Sequence, residues 1–450
     1  AHNYVAQGSV DIAFAGLVHS QDAEGRVDFS PPYFANGMAL LTFPDTGVNS
    51  LNDLGEHSVG TVTWTESQAA LVTAAPVTPT VMTYSRTGDA IEALRVREID
   101  VYADRRHRLE RARRTVMGST IVGQWTREPV AMIYRQDDPF FANLVRLTFE
   151  DMAADGTRDA LYDRWLPGTS PPSQPPLPGT APAPPLDAAP QQVSDLSVIA
   201  RIRDRGVVSV GYYPTRWPYS GDRADGVPTG FEVRLAERLA ELWLGSAEAI
   251  TFVPVVDAND ALARLARGEV DILVGAWVES REGELRVDYS IPILDDGVSI
   301  MSLAANPIED LPQLSGQPVG VVVGSAGEAA VPTLSQGVGL SANGYPTFEA
   351  ALAALQSGEV VALLTERWPA LDIHFRQPGF AFTDRRYTRR PVVMVLPEGD
   401  SDFRDLVNLS LMWLEDRGTY QELYSLWFDD PVPGLNAWPG RPGISLAIQR

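Results

Sequence analysis

Cysteine and lysine are both absent from the 450 residues. Without cysteine there can be no disulfide framework, thiolate metal site or cysteine nucleophile. Histidine occurs only at His2, His19, His57, His107 and His374, and no two stand one helical turn apart, so a zinc enzyme is not expected. All 36 basic residues are arginine, against 58 Asp and Glu, which leaves a net charge of −22. An acidic chain of this kind argues against nucleic acid as a partner, because phosphate binding needs a positive face. No run of about 18 apolar residues is present, so nothing reads as a membrane-spanning helix. The chain opens on Ala1 rather than Met, with no leader-like segment, which leaves room for a preceding one.

What is present fits a folded protein of more than one domain. Apolar residues make up 44% and charged residues 21%, with 10 Trp, 14 Tyr and 15 Phe to build cores. Between Pro167 and Pro190, 10 of the 35 prolines fall within 24 residues, the composition of an extended spacer. The segments on either side repeat each other. Gly8 to Tyr33 and Gly268 to Ile293 share 12 of 26 residues without a gap, among them Arg26-Val27-Asp28 with Arg286-Val287-Asp288. Near each end, Gly156-Thr157 to Trp165 matches Gly418-Thr419 to Trp427 at five of ten positions. Upstream of both glycines an apolar stripe predicts a helix, and each glycine is expected to take a positive φ where that helix stops.

The register leaves copy 1 without a counterpart of roughly the first 66 residues of copy 2, which read as strand, helix and strand. Four domains or segments follow: copy 1 over 1–166, lacking its first βαβ unit; a Pro-rich linker over 167–194; copy 2 over 195–430; and a tail over 431–450. In copy 2 the apolar runs Val270 to Val274, Val319 to Val323, Val360 to Leu364 and Val392 to Leu396 alternate with helical patterns, so an α/β fold with mainly parallel sheets flanked by helices is expected.

Several motifs, in order and met twice, resemble the bacterial extracellular solute-binding proteins of family 3, the amino-acid type of periplasmic binding protein. They are Gly230-Phe231-Glu232, Arg267-Gly268-Glu269-Val270-Asp271, Val287-Asp288-Tyr289-Ser290 with Pro292, Val319-Gly320 with Gly324-Ser325, and Gly418-Thr419 to Trp427. The resemblance implies tandem type II clamps, each of two lobes, that hold a small solute in the cleft between the lobes. Lobe 1 of copy 2 would be 195–301 with 395–428 and lobe 2 about 306–391; in copy 1 the pieces would be 1–41 with 131–166, and 46–128. It also implies a periplasmic or extracellular monomer, with anchoring through a missing N-terminus, that requires no cofactor, does not bind nucleic acid and serves a membrane transporter permease or a sensor.

At one position the chain departs from this pattern. Amino-acid binders of the family carry an arginine that grips the ligand carboxylate, and here Ala23 and Gly283 stand in its place. The remaining cleft positions, carried over residue by residue, are Arg216, Trp217 and Tyr219 after the first strand, Trp277 and Glu279 after the strand ending near Gly275, Ser325 at a helix start, and Glu366, where the family's acid holds the ligand amine. Ser325 with Glu328 also reads as a reciprocal capping box. In copy 1 the counterparts are Thr65 and Asp104, the latter one residue short of the spacing. Arg216 is the basic residue placed to replace the lost arginine. The run from Arg105 to Arg114, six arginines in ten residues, reads as a solvated helix face, with an anionic partner or lipid surface as its functional alternative. A small amine-bearing solute is the expected ligand. A sensory module and a cyclohexadienyl-dehydratase-like enzyme, with Glu366 or Glu279 as general acid, are the alternatives.

Overall fold

The computed structural model describes the whole chain except residues 15, 64, 77, 127, 167–169, 173–176, 178–180, 184–196, 378, 384, 429–431, 436–437, 439–441 and 449–450. Most of the Pro-rich linker therefore lies outside the described residues. The chain divides into two units. One holds 1–136, 145–176 and 438–443, and the other holds 137–144, 177–437 and 444–450.

In the second unit, copy 2 builds two large sheets and a small antiparallel one of Thr215–Arg216, Ser220–Asp222 and Pro228–Thr229. The first contains the parallel strands Ile250–Pro254, Val208–Tyr212 and Ile272–Val278, followed by Pro391–Pro397, which runs antiparallel and also pairs with Val287–Tyr289 and Leu294–Asp295. The second runs Ser341–Tyr345, Pro318–Val322, Ala362–Glu366, Val298–Leu303 and Phe380–Phe382, its first three strands parallel and the last two antiparallel. The strands that break the expected parallel order, Val298–Leu303 and Pro391–Pro397, are those by which the chain enters lobe 2 and returns. Each sheet is covered by helices whose apolar stripes meet it: Leu265, Val270, Leu273 and Val395 share one core in lobe 1, and Leu352, Leu355, Met301 and Leu363 share one in lobe 2. On the helix Phe231–Leu244, Leu235, Leu239 and Trp243 are buried along one stripe.

Lobe 2 of copy 1 repeats this order strand for strand, as Thr80–Tyr84, Ser58–Val62, Val101–Arg105, Met38–Thr42 and Thr120–Val122. Its lobe 1 is smaller, a sheet of Ile12–Ala13, Ile133–Tyr134 and Asp28–Phe29 over a buried cluster of Val5, Val27 and Ile133, and Phe14 is 65% exposed. The glycines that stop the long C-terminal helix of each copy hold φ of 80° at Gly156 and 78° at Gly418, as the repeat predicts.

Candidate functional site

The two lobes of copy 2 meet where the chain crosses between sheets. The strand order puts the first crossing at Asp296–Gly297 and the second at Arg389–Arg390, so Val298–Leu303 belongs wholly to lobe 2, a few residues earlier than the family resemblance implied. The crossings touch. The Asp296 amide donates to the Arg390 carbonyl at 2.8 Å and the Val298 amide to Thr388 Oγ1 at 3.0 Å. A Cβ on Gly297 would lie 1.9 Å from the Thr388 carbonyl oxygen, so only glycine allows this approach. Copy 1 has the same device: the Met38 amide donates to Thr126 Oγ1 at 2.7 Å, and a Cβ on Gly37 would lie 2.0 Å from the Thr126 carbonyl.

Charged side chains converge on this corner of copy 2. Glu366 ends the strand Ala362–Glu366, and its Oε1 accepts from the Ala326 amide and from Arg390 Nη1, both at 3.0 Å. Asp296 is buried, and Tyr219 Oη donates to its Oδ1 at 2.8 Å. Burial pushes the Asp296 carboxyl up to about 7, against the pull of Arg390 and the Tyr219 hydrogen bond. Ser325 caps the helix Ala326–Val338, its hydroxyl accepting from the Glu328 amide at 3.3 Å. The capping box is only half formed, because the Glu328 carboxylate accepts from the Gly324 amide, one residue ahead of the one expected. These groups give the corner an acceptor on lobe 2 and a cation on the crossing.

The lobe 1 wall is more committed to its own structure than the sequence suggested. Arg216 lays its guanidinium 3.6 Å from the centre of the Tyr213 ring and donates through Nη1 to the Gly275 carbonyl at 2.7 Å. Burial lowers its pKa. Glu232, fully buried in the first turn of its helix, accepts from the Gly275 and Ala276 amides and is pushed up to about 7 by burial. It thereby holds Ala276 at a φ of +56°. Trp277 tilts against Tyr213 at 5.6 Å and packs on the lobe 1 core, the more ordinary role for an aromatic there. Tyr219 is wholly buried, so it serves the corner through Asp296 rather than as a stacking surface. Trp217 is half-buried and sits edge-on to Trp427 at 5.0 Å. Glu279 is buried within the electrostatic reach of Tyr289. The position of the missing arginine is filled: a Cβ on Gly283 would fall 1.8 Å from Tyr289 Oη.

In copy 1 the strand register replaces one expected residue. Arg105 pairs with Met38 as Glu366 pairs with Val298, so Arg105 and not Asp104 is the counterpart of Glu366. Because successive strand residues face opposite sides, Asp104 turns inward. It is buried, accepting from Ser67 Oγ at 2.9 Å, Tyr102 Oη at 2.5 Å and the Arg105 amide at 2.7 Å. Thr65 caps its helix, accepting from the Gln68 amide at 3.4 Å. The arginine run is largely neutralised within the copy: Arg106 and Arg113 pair with Glu110, Arg108 with Asp104 and Arg105 with Glu128. The expected solvated helix face is thus, for four of the six arginines, an ion-paired one. Sequence reasoning missed Asp296, Arg390 and Glu232. A cue for the first lay in the repeat itself, where Asn36-Gly37 and Asp296-Gly297 both put a polar residue before a glycine.

The family model of the bacterial extracellular solute-binding proteins, family 3, matches residues 2–168 and again 208–430. The L-cystine-binding protein TcyJ of Escherichia coli (strain K12) is 27% identical over 242 residues, 53% of this chain and 89% of that protein. The ABC transporter glutamine-binding protein GlnH of Bacillus subtilis (strain 168) is 24% identical over 242 residues, 53% of this chain and 88% of that protein. Among solved structures, an ancestral cationic amino acid solute binding protein is 26% identical with a TM-score of 0.45, covering 52% of this chain and all of the other. With a family match over each half of the repeat, the chain belongs to the bacterial extracellular solute-binding proteins, family 3, and carries that domain in tandem.

Proposed function

We propose that the chain is an extracytoplasmic binding protein that captures a small, polar, amine-bearing solute, an amino acid or a derivative, between the lobes of copy 2 and presents it to an ABC-type membrane transporter. The observation that carries this reading is Glu366: a carboxylate at a lobe 2 strand end, braced by the Ala326 amide and lying beside the chain crossing. Ser325 on lobe 2 and Trp217 on lobe 1 complete the set facing the solute. Relatives named for binding cystine and glutamine support the solute class. Closure of the lobes about Gly297 follows if the solute binds the closed form more tightly than the open one. The chain acts by binding, without turnover, so neither prephenate nor arogenate should be consumed.

Titration calorimetry with the twenty amino acids and L-cystine tests the reading. At least one should bind, and Glu366→Gln should weaken that binding by about 2 to 5 kcal/mol, the cost of removing one member of a desolvated charged contact. A Glu366→Gln variant that binds as tightly as wild type removes Glu366 as the amine partner.

A further inference from the structure

If the solute is an amino acid, its carboxylate needs a cation, and the usual one is missing from both copies. A side chain there would have to displace Tyr289 Oη, which fills the space beside Gly283, and Ala23 is likewise buried. Arg216, the replacement the sequence suggests, is held by the Gly275 carbonyl and the Tyr213 ring.

A guanidinium nevertheless stands at the hinge corner of each copy, supplied from different elements. In copy 2 it is Arg390, on the second crossing, 3.0 Å from Glu366 on lobe 2. In copy 1 both residues have changed sign. Arg105 occupies the register position of Glu366. Glu128 pairs with Asn36 where Arg390 meets Asp296, and it lies 3.6 Å from Arg105. The exchange keeps the ion pair and also keeps the guanidinium outermost: Arg390 is 27% exposed against 15% for Glu366, and Arg105 is 27% exposed against 12% for Glu128. A guanidinium carries five N–H donors in a planar fork, and an arginine already paired with a carboxylate can hold a second one bidentately.

We propose that Arg390 in copy 2 and Arg105 in copy 1 grip the solute carboxylate in place of the arginine absent from positions 283 and 23. This rests on the reading of the chain as an amino-acid binder. In copy 2 the Glu366–Arg390 pair then presents an acceptor and a donor side by side, complementary to a zwitterion. In copy 1 the same complement is offered with its ends exchanged between lobe 2 and the crossing.

The test is calorimetry on the intact chain with the twenty amino acids and L-cystine, each compared with its methyl ester. Wild type should favour the free acid by at least about 30-fold, the lower end of what a desolvated charged contact contributes. Arg390→Gln combined with Arg105→Gln should abolish that preference while leaving ester affinity within about threefold, whereas a merely structural role would weaken acid and ester alike. Should that variant fail to fold, Glu366→Arg combined with Arg390→Glu, which copies the arrangement of copy 1, should retain the preference for the acid. An unchanged acid-to-ester ratio in the first variant, or loss of the preference in the second, overturns the proposal. If no amino acid binds wild type, the proposed function falls with it; if binding survives and only the ratio is unmoved, the proposed function stands alone.

Discussion

Gly297→Ala is expected to lower the melting temperature of copy 2 by about 6 °C or more. The added Cβ would sit 1.9 Å from the Thr388 carbonyl oxygen, a contact that can be relieved only by parting the two crossings, because the clashing atom is backbone and not the tip of a movable side chain. Parting them breaks the bonds from Asp296 to the Arg390 carbonyl and from Val298 to Thr388 Oγ1, at a cost of about 3 kcal/mol for overpacking and lost hydrogen bonds together. For a domain of this size each kcal/mol moves the midpoint by roughly 2 to 4 °C. Gly337→Ala is the control, since that glycine lies in the helix Ala326–Val338 with nothing within 4 Å of its added Cβ, and alanine there should be neutral or slightly stabilising. Scanning calorimetry reads both variants. A Gly297→Ala chain melting with wild type would mean that the crossings are not in close contact.

The second large effect is on pH. Asp296 and Glu232 are both pushed up to about 7 by burial, from the ordinary carboxylate range near 4. A group whose folded pKa is raised binds its proton more tightly in the folded state, so its contribution to stability is complete below about pH 4 and is lost as pH rises through about 7. Between those limits copy 2 should become less stable with rising pH, by an amount on the order of a few kcal/mol for the two groups together. Asp296→Asn isolates one of them, because the amide oxygen can still accept from Tyr219 while the titration is removed. In denaturant melts the variant should exceed wild type at pH 8 and lose that advantage at pH 5. A difference that does not change with pH would contradict the burial of an ionisable Asp296.

The tandem repeat, the α/β layers and the helical hairpins at Gly156 and Gly418 were legible because each rests on a periodic or repeated pattern that a single chain displays twice. The Asp104 assignment failed for a reason of the same kind. A strand has period two, so a counterpart chosen one residue short lands on the opposite face, and the one-residue shortfall in spacing was the cue. The pairing of Arg105 with Met38, set by the sheet, corrects the assignment. Tyr219 and Trp277 were found at the right loops but given the wrong depth, because an aromatic that lines a cleft and one that packs beneath it have the same composition around them. Arg390 and Asp296 were invisible for a different reason. Each meets its partner across a long stretch of chain, Asp296 with Tyr219 and Arg390 with Glu366, and those contacts are made by topology rather than by any local signal.

The central claim, that this chain holds an amino-acid-like solute, is tested most directly by native mass spectrometry of the intact protein after exchange into a mixture of the twenty amino acids and L-cystine. The expected result is a population heavier than the 49.0 kDa chain by the mass of one bound solute, or of two if both copies are occupied. The added mass should be released on unfolding and reduced in Glu366→Gln. Detection of the bare chain alone, at amino acid concentrations far above those at which binding proteins saturate, would contradict the account.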